Sequence, residues 1–183
     1  RQLKIVSHLI DKKVNINSLS DDGGFSPLHM SILGNCDEAA INLIRAGACS
    51  RQSAISGRTT MFMAIDQGMT EVVRLLLRSD TKNVRINAPM SLNLTDGGHS
   101  ALSQAIVFKK GTLLHSLVDL GADLNKKDVS SGATPLITAA LLGNDWCFRR
   151  LLDAGANYEL FDYYGRTALY VIICNEKIDL LNH

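Results

Sequence analysis

The sequence is poor in aromatic residues and has no excess charge of either sign. Phe, Trp and Tyr make up 5% of its 183 residues, and 19 Lys and Arg stand against 18 Asp and Glu, a formal net charge of +1. So even a balance creates no field that would gather nucleic acid or an anionic membrane. The basic pairs Lys12-Lys13, Lys109-Lys110, Lys126-Lys127 and Arg149-Arg150 are scattered, as on a solvated surface. The apolar runs fall well short of the roughly 18 to 20 residues that cross a bilayer. The chain does not open on a charged stretch followed by an apolar one, as a secretory leader does. Its four cysteines, Cys36, Cys49, Cys147 and Cys174, form no C-x-x-C pair and lie at no zinc-ligand spacing from a histidine, so reduced, packed thiols are expected. No phosphate loop, G-x-S-x-G or His-Glu-x-x-His is present. The paired acids Asp21-Asp22 and Asp37-Glu38 fall where acids serve turns and helix starts. Nothing in the sequence points to catalysis, a cofactor, a metal site or a small-molecule ligand.

What the chain does have is a period. Gly24, Gly57, Gly98, Gly132 and Gly165 each stand two residues before a hydroxyl residue: Ser26, Thr59, Ser100, Thr134 and Thr167. Leu28, Met61, Leu102, Leu136 and Leu169 follow two residues later, and small residues (Ser31, Ala64, Ala105, Ala139) five residues later, with Ile172 as the exception. Apolar pairs come next: Leu43-Ile44, Leu76-Leu77, Leu117-Val118 and Leu151-Leu152. The spacings between successive hydroxyls are 33, 41, 34 and 33 residues. A repeat of that length is one supersecondary unit that buries its apolar face only by stacking on its neighbours.

Each feature has a physical reason. The glycine permits a positive-φ turn. The hydroxyl caps a helix by accepting from a free backbone N–H. Pro27 and Pro135 stand at the first helical position, where a missing N–H costs nothing. The small residue allows close approach of the next repeat, and the apolar pair is expected to face the interior from a second helix. Asn35, Gly68 and Gly143 end first helices, and Gly47, Gly121 and Gly155 end second ones, because Gly and Asn tolerate the left-handed conformation. Each unit therefore reads as hairpin, helix, tight turn, helix and loop.

Gly24-Phe25-Ser26-Pro27-Leu28-His29 and Gly132-Ala133-Thr134-Pro135-Leu136 resemble the G-x-T-P-L-H signature of ankyrin repeats, and Leu120-Gly121-Ala122-Asp123-Leu124-Asn125 and Ala154-Gly155-Ala156-Asn157 resemble its G-A-D-x-N ending. The resemblance covers nearly the whole chain. It implies an all-α, elongated and curved solenoid of helix-turn-helix units with β-hairpin-like loops, one domain over 1–183. Its units are a partial repeat at 1–17, repeats at about 18–50, 51–91, 92–125 and 126–158, and a partial repeat at 159–183. Leu3 to Asn17 reads as a second helix without its first, and Lys177 to His183 as the start of a second helix, so further sequence is expected on both sides. His29 occupies the signature His slot, where the family ties neighbouring hairpins together. The chain departs from the signature at Phe62, Ser103, Ile137 and Tyr170 in the same slot. The stretch from Ser79 to Asp96 breaks the period and is either a recognition insert or a tolerated surface loop.

Ankyrin proteins bind other proteins through hairpin tips and the concave face of the first helices. Carried over position by position, the tips are Phe25, Arg58, His99, Tyr163, Tyr164 and Arg166. Tyr and Arg are frequent interface hot spots, though an aromatic residue in a turn also packs on the next hairpin. The concave positions, seven and eight after each hydroxyl, are Leu33-Gly34, Asp66-Gln67, Val107-Phe108, Leu141-Leu142 and Cys174-Asn175. Leu33, Val107, Phe108, Leu141 and Leu142 are apolar where solvent is expected, and an exposed apolar strip marks a binding surface unless loops or flanking segments cover it. Trp146 is either a further hot spot or packing for Arg149.

The order of spacings, with Asp66-Gln67-Gly68 before the long unit, Gly98-His99-Ser100 after it, then Leu117 to Asn125 and Ser131-Gly132-Ala133-Thr134, is similar to the inhibitor-of-kappa-B (IκB) type of ankyrin domain. That likeness implies a regulator of a Rel-type transcription factor or its signalling pathway, in cytoplasm or nucleus, with a protein as partner and no direct nucleic-acid, membrane or small-molecule contact. The alternatives are a substrate-recruiting region of a larger adaptor such as a ubiquitin-ligase receptor, or the cytosolic arm of an enzyme or channel. Asn125, with Leu117 and Asp123 upstream, resembles the context that asparaginyl hydroxylases modify in ankyrin proteins; the alternative is a loop-stabilising Asn.

Overall fold

A computed structural model describes residues 2–49, 58–79 and 99–175. Ten helices form from the repeat, and no β-strand is present among the described residues. α1 (Gln2–Asp11), α2 (Pro27–Leu33), α3 (Asp37–Arg45), α4 (Thr60–Gln67) and α5 (Thr70–Ser79) belong to one compact unit. α6 (Ala101–Val107), α7 (Gly111–Asp119), α8 (Pro135–Leu142), α9 (Asp145–Asp153) and α10 (Ala168–Cys174) belong to a second. Gly57, Gly98, the insert beyond Ser79 and the tail from Glu176 to His183 lie outside the described residues.

The five hydroxyl residues are the five N-caps of α2, α4, α6, α8 and α10. Each sits in an extended conformation and accepts from the backbone N–H three residues on, at 3.1 to 3.3 Å. These helices run only seven or eight residues, too short to persist on propensity alone. A satisfied N–H at the start and an apolar surface buried by neighbours hold them in place. At Ser26 the cap is reciprocal, because the Ser26 backbone N–H donates to His29 Nδ1 at 3.1 Å, so a histidine fills the place usually taken by Glu or Gln in a capping box.

Within each unit the repeats stack in two rows. In the first unit the inner helix α2 packs on α4 and the outer helix α3 on α5, with α1 against α3. In the second, α6 packs on α8 and α8 on α10, with α7 against α9 outside them. Because α8 has an inner helix on each side, Pro135 to Ala140 are buried all round it. The small-residue positions Ser31, Ala64, Ala105 and Ala139 are buried, and so is Ile172. From the outer helices Leu43, Leu76, Leu117 and Leu151 are buried, each contributing roughly 1.5 to 3 kcal/mol. The second member of each pair departs from the inward reading. Ile44 is buried, Leu77 and Val118 are half-buried, and Leu152 is exposed. One residue on, a side chain has turned about a quarter of the way round the helix, toward its outer flank.

Turn geometry follows the glycines, with one exception that the pattern did not flag. Gly68 and Gly143 cap their helices in the left-handed region, and Asn35 takes φ 51°. At the end of α6 the equivalent place belongs to Lys109, at φ 56°, where a Cβ crowds the backbone. Replacing Lys109 with Gly is expected to raise stability by up to roughly 1 kcal/mol. Replacing the cap Thr134 with Ala is expected to lower it by about 1 kcal/mol, with Ser close to neutral. Chemical-denaturation midpoints of the three variants check both.

Candidate protein-binding surface

In the second unit the hairpins ahead of α8 and α10 close on themselves. Asp128 N–H donates to the Ala133 carbonyl at 2.9 Å, and Asp162 N–H to the Arg166 carbonyl at 3.1 Å. They are then laced together. Tyr163 N–H donates to the Ser131 carbonyl at 2.9 Å, and Lys127 Nζ to the Phe161 carbonyl at 2.5 Å. His99, from the segment ahead of α6, joins the same row by donating from Nδ1 to Oδ2 of the buried Asp128 at 2.8 Å. The loops that follow the outer helices are joined in parallel: Asn157 N–H donates to Asn125 Oδ1 at 2.8 Å, and in the first unit Cys49 N–H donates to Asn17 Oδ1 at 2.7 Å. The candidate modification residue Asn125 thus bridges one repeat to the next, and its own N–H donates to Asp123 Oδ1.

The tip residues divide by what they touch. Phe25 is half-buried, edge-on to His29 at 6.1 Å and lying over Gly23. His99 spends its ring on Asp128. Arg58 is exposed, with its guanidinium 5.1 Å from the Phe62 ring centroid. Tyr163 and Tyr164 project furthest, at 66% and 73% exposure. One face of the Tyr163 ring covers Gly132, which at φ 67° has no Cβ to meet it; a Cβ there would stand 2.5 Å from the ring. Arg166 is anchored, with Nε and a terminal nitrogen each 2.8 Å from Asp162 Oδ2, and its guanidinium lies 4.8 Å from the Tyr164 centroid. Burial pushes the Asp162 carboxyl up, but hydrogen bonds from the Arg166 backbone and guanidinium and from the Tyr164 N–H outweigh it and hold the carboxyl below its ordinary value.

The concave positions differ between units. In the second unit Val107 and Phe108 are half-buried at the end of α6, while Leu141 and Leu142, at the end of the neighbouring α8, are 38% and 49% exposed. In the first unit the exposed Leu33 is followed in the next repeat by the half-buried Asp66 and exposed Gln67. The apolar strip across adjacent repeats therefore belongs to α6 and α8. The exposed Trp146 lays its ring over Gly111, the first residue of α7, where a Cβ would stand 3.1 Å away. Arg149 pairs with Asp145 at 2.7 Å.

Phe161 and Ile173 are among the exposed apolar residues of this unit that the sequence did not single out. Phe161 stands beside Tyr163 on the same hairpin and carries Lys127 Nζ 4.8 Å from its ring centroid; Ile173 is one residue before the concave pair of α10. Phe161 could have been found from its spacing of two from Tyr163. The anchors Asp128 and Asp162 could have been found from their place three or four residues before a hairpin glycine. Of the four unpaired cysteines, Cys147 is buried, and burial pushes its thiol up to about 11, while Cys36 and Cys174 are exposed, so the packed-thiol expectation describes Cys147 alone of these three. Among the described residues no group of three His, Cys, Asp or Glu could hold a metal ion, and no helix is long and apolar enough to cross a membrane.

Capped inner helices stacked in register, outer helices behind them and a laced row of hairpins in front define an ankyrin-type repeat surface. The model for the family described as "Ankyrin repeats (3 copies)" matches residues 42–128 and 102–182, and the chain belongs to that family, whose repeats are non-catalytic protein-interaction modules. Curated relatives include the ankyrin repeat protein nuc-2 of Neurospora crassa, 27% identical over 92% of this chain and 15% of its own length. The probable E3 ubiquitin-protein ligase XBOS33 of Oryza sativa subsp. japonica is 27% identical over 91% of this chain and 32% of its own length. The nuclear factor NF-kappa-B p105 subunit of Gallus gallus is 26% identical over 86% of this chain and 16% of its own length. The chain thus spans less than a third of each of these proteins.

The Asp162 anchor has a pH signature. Its folded-state pKa lies below the unfolded value, so its contribution is complete above about pH 4, near the ordinary carboxylate value of about 3.9, and is lost as pH falls through the lower folded value. Arg166→Ala removes the guanidinium donors, and acid unfolding of that variant, followed by circular dichroism, is expected to begin at a higher pH than in the parent chain.

Proposed function

We propose that this chain recognises a protein through the α6–α8 concave strip and the aromatic hairpin before α10, and that its partner is a Rel-type transcription factor, making it an IκB-like regulator acting in cytoplasm or nucleus. The observation that carries the recognition surface is the exposure of Leu141 and Leu142, side by side at the end of a helix otherwise buried all round. Apolar side chains held in water on a rigid framework gain on contact, roughly 1.5 to 3 kcal/mol for a fully buried leucine, and no conformational ordering is needed to present them. Tyr163 and Tyr164 add large rings with few rotatable bonds, of the kind that concentrates binding energy. The transcription-factor reading is supported by the order of repeat lengths and by the likeness to the p105 subunit of nuclear factor NF-kappa-B.

A second reading, substrate recruitment within a larger ligase, is favoured by an equal likeness to XBOS33 over 91% of the chain. Binding to a purified Rel-type dimer, read by calorimetry, separates the two. Under the first reading the chain binds, and Leu141→Asp with Leu142→Asp weakens binding at least about tenfold, a loss of about 1.4 kcal/mol. Absence of binding by the parent chain removes the transcription-factor reading. Undiminished binding by the double variant removes the concave strip.

A further inference from the structure

The inner helices α6, α8 and α10 carry no charged residue. Charge in this unit is sorted by element instead. Asp128 and Asp162 are buried in the hairpins, on His99 and Arg166. Asp119, Asp145 and Asp153 belong to the outer helices, and Asp123 and Glu159 to the loops that follow them. No acid stands at the end of the inner helices where Leu141 and Leu142 are exposed. Asp145, the nearest in sequence, is paired with Arg149 at 2.7 Å.

Cations do stand there. The tight turn after α6 reads Phe108-Lys109-Lys110, and the turn after α8 reads Leu142-Gly143-Asn144. α6 packs on α8, and Trp146 lays its ring on Gly111, so the two turns lie side by side. Lys109 is exposed and Lys110 half-buried, and neither forms an ion pair among the described residues. Lys109 is also held where lysine is unfavourable. Asn35, Gly68 and Gly143 fill the same place, nine residues after the cap, in three other repeats, and Gly and Asn tolerate the left-handed backbone found there. Lys109 adopts it at φ 56° in spite of its Cβ. Backbone strain of this kind gathers at functional positions. A lysine kept where glycine is more stable points to work for its ammonium group.

We propose that the partner segment seated on the α6–α8 strip is acidic and amphipathic. Its apolar side chains cover Leu141 and Leu142, and its carboxylates meet Lys109 and Lys110. The inference rests on the reading of that strip as the recognition surface and adds the chemistry of its occupant. A basic segment meets two ammonium groups there and no unpaired acid. An acidic one meets two cations that no described acid neutralises. Attraction between such exposed charges speeds and orients the encounter, and it weakens as salt rises. Trp146, the sole tryptophan of the sequence, stands beside both turns and reports when water leaves them.

The probes are two synthetic helical peptides with the same leucine pattern, one carrying Glu and the other Lys at every charged place. Binding to the whole chain is read by the anisotropy of a label on the peptide and by Trp146 emission. The parent chain is expected to prefer the Glu peptide by about tenfold, with a blue shift of Trp146, and the preference narrows as salt rises. Lys109→Gly weakens the Glu peptide about threefold, while its denaturation midpoint is no lower than the parent's. Lower affinity in a variant that folds at least as well does not come from damage to the fold. Lys109→Glu with Lys110→Glu turns the preference toward the Lys peptide, and Leu141→Ser weakens both peptides. No binding of the Glu peptide, no preference for it over the Lys peptide, or its undiminished binding by Lys109→Gly each overturns the proposal. A Rel-type dimer that fails to bind leaves the peptide results standing and removes only the transcription-factor reading. A dimer that binds the parent and Lys109→Gly alike keeps that reading and removes this one.

Discussion

The hydrogen bond from the backbone N–H at N3 to a Ser or Thr hydroxyl sets the geometry on which the rest of this protein depends. It joins a hairpin to a helix too short to stand by itself, and it does so at the same residue of every described repeat, Ser26, Thr59, Ser100, Thr134 and Thr167. Once the cap is placed, the helix has a phase. Each side chain's angle about the axis follows from its count after the hydroxyl. That count decides which side chains enter the row between repeats, which lean on the outer helix, and which are left at the open end beside the tight turn.

Function in such an architecture arises where phase and chemistry disagree. Positions seven and eight after the cap point away from the packing rows, and polar side chains would satisfy them. Leu141 and Leu142 do not, and they remain in water because the helix that presents them is locked on both flanks. The hairpins show the complementary principle. Several of their polar groups serve to fix the row: Asp128 holds His99, Asp162 holds Arg166, and Lys127 reaches the Phe161 carbonyl. What projects beyond this lacing is aromatic, Tyr163 and Tyr164, on a base rigid enough to present them without further ordering.

The period of glycine, hydroxyl, leucine and small residue was legible in the sequence because each has a local cause: a positive-φ turn, a cap, or close approach of a neighbour. Helix pairs, family and the phase of every inner helix follow from those local causes. Exposure and partnership do not, since they depend on what another repeat places alongside. The sequence could offer His99 as a tip residue, but only packing assigned it to Asp128 of the next repeat. It could weigh Trp146 against Arg149, but only packing set the indole on Gly111. It read Leu152 as facing inward, and the flank it occupies left it exposed. Local backbone chemistry is written in neighbouring residues, whereas burial and pairing between repeats belong to surfaces that meet about one repeat apart in sequence, as His99 and Asp128 do across 29 positions, and there the tertiary structure alone decides which side chain reaches which.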